Sequence, residues 1–297
     1  MKPIAALLLL AVIWGYNWVV MKTALLYSGP FHFAAMRTFF AALLMFFMLV
    51  VLRRPLKITH FLEVSLIGLL QTSGFTGLVV LALVSGGAGK IAVLCYTMPF
   101  WVMMLAWPLL GERIRGMQWL VVFLSCAGLF LILEPWHLKG SAVSDMLGIA
   151  SGFCWAISVI LAKKLHKKAP EMDLLSFTSW QMMIGSIPLV LVSLLVHEKP
   201  MIWNHYLVGA VFYNVVAANA VAWLLWLYAL RNLAAGTAGM VSLLAPVIGV
   251  LSAWLMLGEV PSLPEASGMV LIGLSLAVIA HLGMKKHESP DPAIAQE

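Results

Sequence analysis

Long apolar runs are the feature that most restricts how this chain can fold. Of its 297 residues, 63% are hydrophobic and only 10% are charged, whereas a soluble domain carries about 25% charged residues. A run of roughly 20 apolar residues is long enough to cross a bilayer as a helix. The sequence therefore predicts an all-α polytopic membrane protein with ten transmembrane helices, near residues 3–24, 30–52, 59–84, 87–109, 117–134, 145–163, 174–196, 205–229, 236–257 and 263–283.

Two segments of the chain repeat each other 147 residues apart. Pro99 precedes Glu112 by 13 residues, and Pro246 precedes Glu259 by the same 13. Each proline lies near the middle of an apolar run, and each glutamate follows a Leu-Gly pair. A duplicated apolar unit with a proline at matching membrane depth is typical of transporters that are built from two structural repeats.

The distribution of lysine and arginine predicts the orientation of these repeats. If the N-terminus is cytoplasmic, thirteen of these residues fall on the cytoplasmic side and four on the opposite side, as the positive-inside rule requires. Both termini are then cytoplasmic. Because each half has an odd number of helices, the second half must be inverted relative to the first. The predicted repeats are 1–135 and 136–286, and a disordered tail is expected over 287–297.

Reporter fusions test this topology. Fusions at Arg54, Lys164 and Lys286 are expected to report the cytoplasm, and a fusion near Lys139 is expected to report the opposite side. The activity of a compartment-specific reporter enzyme gives the measurement. A cytoplasmic signal at Lys139 would contradict two inverted five-helix repeats.

Polar side chains near the middle of the apolar runs are the candidate ligands of a small-molecule substrate. A polar group that faces lipid costs several kcal/mol unless it has a partner, so these side chains are expected to face one another or a wet cavity among helices 1, 3, 4, 6, 8 and 9. They can equally serve as interhelical hydrogen bonds that only stabilise packing. The predicted substrate-binding residues, which include two deep tryptophans, are Tyr16, Asn17, Gln71, Thr72, Tyr96, Trp101, Trp155, Asn214 and Asn219. Ser73, Thr97, Ser158 and Ser242 lie at similar depth.

Pro99 and Pro246 are predicted hinge residues. Each lacks a backbone donor and frees the carbonyl group four residues earlier, at Cys95 and Ser242. The freed carbonyl can bind a ligand or allow the helix to bend. A static kink that packing tolerates is the alternative.

Arg37 is the one ionisable residue that lies well inside a predicted span. It can attract a substrate carboxylate, or it can extend outward and serve only as structure. All twelve acidic residues lie at helix ends or in connectors, and no histidine lies near the middle of a span. Proton-coupled pumps hold such groups inside the membrane, so the sequence favours facilitated export and leaves proton coupling open.

Other classes of function find less support in the sequence. No basic block with interleaved aromatic residues indicates nucleic-acid binding, and the three cysteines lack the spacing of a metal site. We therefore expect no cofactor and no metal. An integral-membrane enzyme that acts on lipid would need a catalytic cluster near the midplane, and a channel would not explain the matched prolines. The sequence leaves the solute and the oligomeric state open, including a homo-oligomer.

Several short motifs, in order and at fixed spacing over residues 3–283, resemble the EamA branch of the drug/metabolite transporter superfamily. They are Trp14-Gly15-Tyr16-Asn17-Trp18 with Lys22, Arg37, Ala88-Gly89-Lys90, Tyr96-Thr97-Met98-Pro99, Leu110-Gly111-Glu112-Arg113, Trp155 with Lys163-Lys164, Ala245-Pro246-Val247 and Leu257-Gly258-Glu259. The resemblance implies ten helices in two inverted repeats, a bacterial inner membrane, a cavity between helices 1, 3, 4, 6, 8 and 9, and export of small amphipathic metabolites such as amino acids. Efflux of neutral or anionic aromatic drugs is the alternative. The membrane glutamate of the small four-helix drug exporters is missing here, so their cation/proton exchange does not carry over.

Overall fold

The computed structural model describes residues 3–110, 116–133, 142–225 and 244–288. Helices lie at each of the ten predicted places, and the fourth is split in two. They are α1 (Pro3–Ala24), α2 (Pro30–Val51), α3 (Phe61–Ser85), α4a (Ala88–Cys95), α4b (Met98–Leu110), α5 (Gln118–Leu133), α6 (Ala142–Lys168), α7 (Leu174–Leu195), α8 (His205–Leu225), α9 (Leu244–Leu257) and α10 (Leu263–Glu288). Six of the described helices are long and apolar enough to cross a bilayer.

The outer surface of the helix bundle is apolar. Large side chains such as Phe123, Leu195 and Leu255 are 68%, 78% and 80% exposed. Soluble monomers rarely present such surface to water over wide areas, whereas a bilayer solvates it. The protein is thus an all-α polytopic membrane protein.

Helix packing repeats between the first five and the last five helices. α1 packs against α8 and α9, and in the same way α6 packs against α3 and both segments of α4. α3 packs along α7, as α8 does along α2, while α2 pairs with α7 and α5 pairs with α10. If each of the first five helices is exchanged with its equivalent among the last five, this list of contacting pairs stays the same. Two repeats related by a two-fold axis produce such a pattern, and their orientation in the membrane stays a prediction.

The contact between α5 and α10 depends on two glycines. A Cβ on Gly268 would lie 2.6 Å from the Gly128 carbonyl oxygen, and a Cβ on Gly128 would lie 2.8 Å from the Gly268 carbonyl oxygen. Ser125 Oγ donates to Ser275 Oγ at 2.9 Å beside them. Small residues allow membrane helices to approach closely and gain dispersion energy. The fifth and tenth helices, which have almost no polar residues beyond small ones within their predicted spans, therefore pack on each other.

The interruption of the fourth helix lies just before Pro99. Thr97 N–H donates to Leu94 O at 3.3 Å instead of continuing the α-helical pattern. Pro99 is the second residue of α4b, where a missing N–H removes no helical bond. The carbonyl of Cys95 faces α6, since a Cβ on Gly152 would lie 2.8 Å from its oxygen.

The bounds of three helices, α6, α10 and α9, differ from the sequence-based bounds or extend outside the described residues. α6 begins at Ala142 and ends at Lys168, because charged residues at its two ends suit the helix dipole although they interrupt the apolar run. α10 reaches Glu288, two residues into the predicted tail. Pro246 is the third residue of described α9, and Ser242 lies outside the described residues. The hinge role of both prolines stays a prediction.

Candidate functional site

Two helices at matching places in the halves contain π-helical segments. They cover Leu69–Gly74 in α3 and Tyr213–Val221 in α8. Neither helix contains a proline, so no simple sequence signal marked these segments. π-helical turns occur frequently at functional sites. They contain four of the predicted ligands, namely Gln71, Thr72, Asn214 and Asn219.

One group of aromatic and polar side chains lies where α6 meets α3 and α4. The Trp155 ring lies 5.8 Å from the Tyr96 ring and 5.1 Å from the Phe75 ring, measured between centroids. Ser158 Oγ lies 3.4 Å from Gln71 Oε1 and also donates to Trp155 O at 2.7 Å. We call these five residues the α6 cluster. It brings together three predicted ligands, Gln71, Tyr96 and Trp155.

An equivalent group lies where α1 meets α8. The Tyr16 and Tyr213 rings are 5.9 Å apart, and Tyr213 Oη donates to Ile13 O at 2.7 Å. Trp14 Nε1 donates to Ala218 O at 3.0 Å. We call Trp14, Tyr16 and Tyr213 the α1 cluster. The sequence-based set omitted Tyr213, although its place beside Asn214 was the available signal.

Thr72 and Trp101 are predicted ligands that lie outside the α6 cluster. Thr72 packs against Gly185 at the contact between α3 and α7. Trp101 Nε1 donates to Thr97 Oγ1 at 3.1 Å, so its polar group is bonded within the fourth helix. Their similar depth along the helices put both residues in the predicted substrate-binding set, but in the structure their side chains contact different neighbours.

Three polar atoms on α1, α2 and α8 have no hydrogen-bond partner among the described residues. They are Asn17 Oδ1, Arg37 Nε and Asn214 Oδ1. Asn17 and Asn214 are 5% and 0% exposed. The amide nitrogen of Asn214 donates to Ala210 O at 2.9 Å, and that of Asn219 donates to Asn214 O at 2.6 Å. The π-helical segment of α8 packs against both α1 and α2, so the three side chains belong to neighbouring helices.

The guanidinium of Arg37 contacts only the Met21 sulfur among the hydrogen bonds and ion pairs of the described residues. Met21 lies one helical turn from Asn17 on α1. The ion pairs of the described residues lie at helix ends or in connectors instead. Arg37 therefore keeps donors for an anionic group inside the helix bundle.

Among the described residues, no group of three or more His, Cys, Asp or Glu side chains is arranged to hold a metal ion.

Comparison with known proteins identifies the family. The model of the EamA-like transporter family matches residues 1–134 and 142–280. The chain belongs to this family. Proteins that resemble this EamA-like chain include the uncharacterized transporter YoaV of Bacillus subtilis, which is 25% identical, with 91% of this chain and 94% of the relative covered. Two others are named probable amino-acid metabolite efflux pumps: that of Salmonella typhimurium (27% identical, 91% and 92% covered) and that of Escherichia coli (28% identical, 91% and 92% covered).

A crystal structure of another protein shares the EamA-like fold. It aligns with a TM-score of 0.67 at 15% identity, over 97% of this chain and 99% of that chain. The family and the names of the relatives are those of membrane transporters rather than enzymes. The protein is thus a multi-pass transporter of the drug/metabolite transporter superfamily, and its substrate is a small molecule.

Proposed function

We propose that this transporter exports small zwitterionic metabolites, amino acids or their derivatives, across a bacterial inner membrane, with both termini in the cytoplasm. The observation that carries the proposal is the set of unpartnered polar atoms on Asn17, Arg37 and Asn214. Two relatives named probable amino-acid metabolite efflux pumps agree with this substrate class.

The chemistry of these atoms complements a zwitterion. A buried polar atom without a partner costs about 1–3 kcal/mol, so a ligand that supplies the missing bonds gains that energy on binding. The amide oxygens of Asn17 and Asn214 accept hydrogen bonds and suit an ammonium group. The Arg37 guanidinium donates and suits a carboxylate. A molecule that carries both groups satisfies donors and acceptors together.

The aromatic pairs favour a solute with an apolar part. The Tyr96–Trp155 and Tyr16–Tyr213 pairs each present flat apolar rings beside polar groups. A second candidate function, efflux of neutral or anionic aromatic drugs, draws on the same pairs. An amphipathic zwitterion uses both the rings and the polar atoms, and we therefore place it first.

The paired architecture supports alternating access. The α1 and α6 clusters occupy equivalent places, as do the π-helical segments of α3 and α8. Rocking of one set of helices against its equivalent would expose a shared cavity to each side in turn. With no carboxylate near the middle of a described span, we propose facilitated export down the solute gradient.

Counterflow into proteoliposomes tests the substrate class. A panel of amino acids, their amides, nucleosides and aromatic drugs is offered to the purified protein, and exchange is expected for amphipathic amino acids. Asn17→Leu is expected to reduce that exchange by about tenfold, since one charge-assisted hydrogen bond is lost. Ser179→Ala is the matched control, because its hydroxyl bonds Leu175 O on its own helix at 2.8 Å. If the Asn17→Leu variant exchanges amino acids at the parent rate, Asn17 contributes to helix packing and not to substrate binding.

A further inference from the structure

Charged side chains connect the two equivalent helix groups at one end of the bundle. This end holds the α3–α4a connector, residues 86–87, and the α9–α10 connector, residues 258–262. α1 and α9 belong to one group, and α3, α4 and α6 belong to the other. The topology predicted from the lysine and arginine distribution places this end on the non-cytoplasmic side.

Lys22 holds the end of α3. Its Nζ lies at the end of α1 and donates to Leu83 O at 2.7 Å and to Gly86 O at 2.8 Å. A cation near the last carbonyl groups of a helix interacts favourably with the helix dipole. The Lys22 side chain therefore connects α1 to the set of helices formed by α3, α4 and α6.

Glu259, in the α9–α10 connector, binds the start of α4a. The Gly89 N–H donates to Glu259 Oε2 at 3.1 Å, which places a carboxylate at a helix N-terminus. Gly258 has φ +68, a conformation that glycine adopts without steric cost. That turn directs Glu259 over α4a as soon as α9 ends.

An ion pair adds a third connection. Lys90 Nζ on α4a lies 2.9 Å from Glu265 Oε1 at the start of α10 and 3.0 Å from Asp145 Oδ2 on α6. Asp145 belongs to the same group as Lys90, so it orients the ammonium group. Glu265 completes the bond to the opposite group.

Polar contacts lie at this end beside the apolar packing of Gly89 on α4a against Val250 and Ala253 of α9. A cavity of about 290 Å³ lies among Gly86, Lys90, Glu259 and Met269. The side chains of Lys90 and Glu265 are 12% and 21% exposed. Asp145, the other partner of Lys90, is only 1% exposed, so this ion pair is largely buried. Separation of the two groups therefore requires water to enter the cavity and solvate the freed charges.

We propose that Lys22, Lys90, Glu259 and Glu265, here called the connector clamp, form the outer gate of the transport cycle. The clamp is closed in this conformation and opens when the α3–α4a connector leaves Lys22 and Glu259. The inference rests on transport by alternating access, as proposed above. It does not depend on the identity of the solute.

Labelling from outside the cell tests the clamp. A cysteine is introduced as Met269→Cys in the cavity, and its reaction with a membrane-impermeant maleimide is timed on intact cells. The same protein without the introduced cysteine gives the background. Lys22→Met and Glu259→Gln are each expected to speed labelling about fivefold, as the loss of a partly exposed charge contact shifts the closed state toward the open one. Lys22→Arg, which retains donors for the two carbonyl groups, is expected to stay near the parent rate.

Lys168→Met is the matched control. Lys168 Nζ lies 2.8 Å from Glu63 Oε1 at the other end of the bundle, so its loss is expected to leave the labelling rate unchanged. Parent rates in both Lys22→Met and Glu259→Gln would overturn the proposal, and so would equal acceleration in Lys168→Met. If labelling responds as expected while no amino acid exchanges in counterflow, the clamp stands and the proposed substrate class fails. If amino acids exchange in counterflow but labelling does not respond, only the clamp proposal fails.

Discussion

Arg37→Gln is expected to reduce transport of carboxylate solutes by about tenfold or more, because one charge-assisted hydrogen bond pair disappears. Transport of the corresponding amides and esters is expected to change by less than about twofold, since they gain little from the guanidinium charge. The prediction follows from the buried Nε atom, which has no partner in the described structure. Competition between each acid and its amide in counterflow gives the measurement.

Two further variants separate binding from structure at this position. Arg37→Lys is expected to retain part of the carboxylate transport, because a point charge remains although the planar fork is lost. Arg54→Gln removes an exposed arginine that pairs with Asp173 at 3.4 Å and is expected to leave the ratio of acid to amide unchanged. Equal loss for acid and amide in Arg37→Gln, together with a lower thermal midpoint, would make Arg37 a structural residue.

Gly268→Leu is expected to destabilise the protein by about 3 kcal/mol or more, at the upper end of the cost of overpacking a helix contact. Even a Cβ at this position would lie 2.6 Å from the Gly128 carbonyl oxygen, so α5 and α10 must separate. The thermal midpoint of the detergent-solubilised protein gives the measurement.

Gly273→Leu on the same helix is the control for that change. A Cβ on Gly273 would meet no atom within 4 Å, so the added side chain enters open space. Its thermal midpoint is expected to stay close to that of the parent. If both leucine variants melt like the parent, the glycine contact between α5 and α10 contributes little to stability.

The positions of the helices were predictable from sequence because the bilayer imposes a length on each apolar run. The family resemblance was confirmed, since the EamA model spans nearly the whole chain. The division into repeats 1–135 and 136–286 and the inverted orientation stay predictions. Helix ends such as that of α6 were less predictable, because charges end an apolar run without ending the helix.

The candidate site was predictable only in part. Counting residues along a helix gives depth, but it does not give the direction in which a side chain points. Depth alone therefore grouped Thr72 with Gln71, whereas Thr72 packs against Gly185 of α7 and Gln71 lies beside Ser158 of α6. The connector clamp was not predicted from the sequence, because its charged residues come from helix ends and a connector that are distant in the chain.

The π-helical segments change how positions in this protein can be compared with those in other helices. An α-helix advances 3.6 residues per turn, and a π-helical turn includes more. A helical wheel that is correct for His205–Phe212 is out of phase beyond Val221, and the same holds for α3 on the two sides of Leu69–Gly74. Residue-by-residue transfer of cavity positions from an uninterrupted helix therefore selects the wrong face in the second half of both helices. Aligning each half of α3 and α8 separately restores the correspondence.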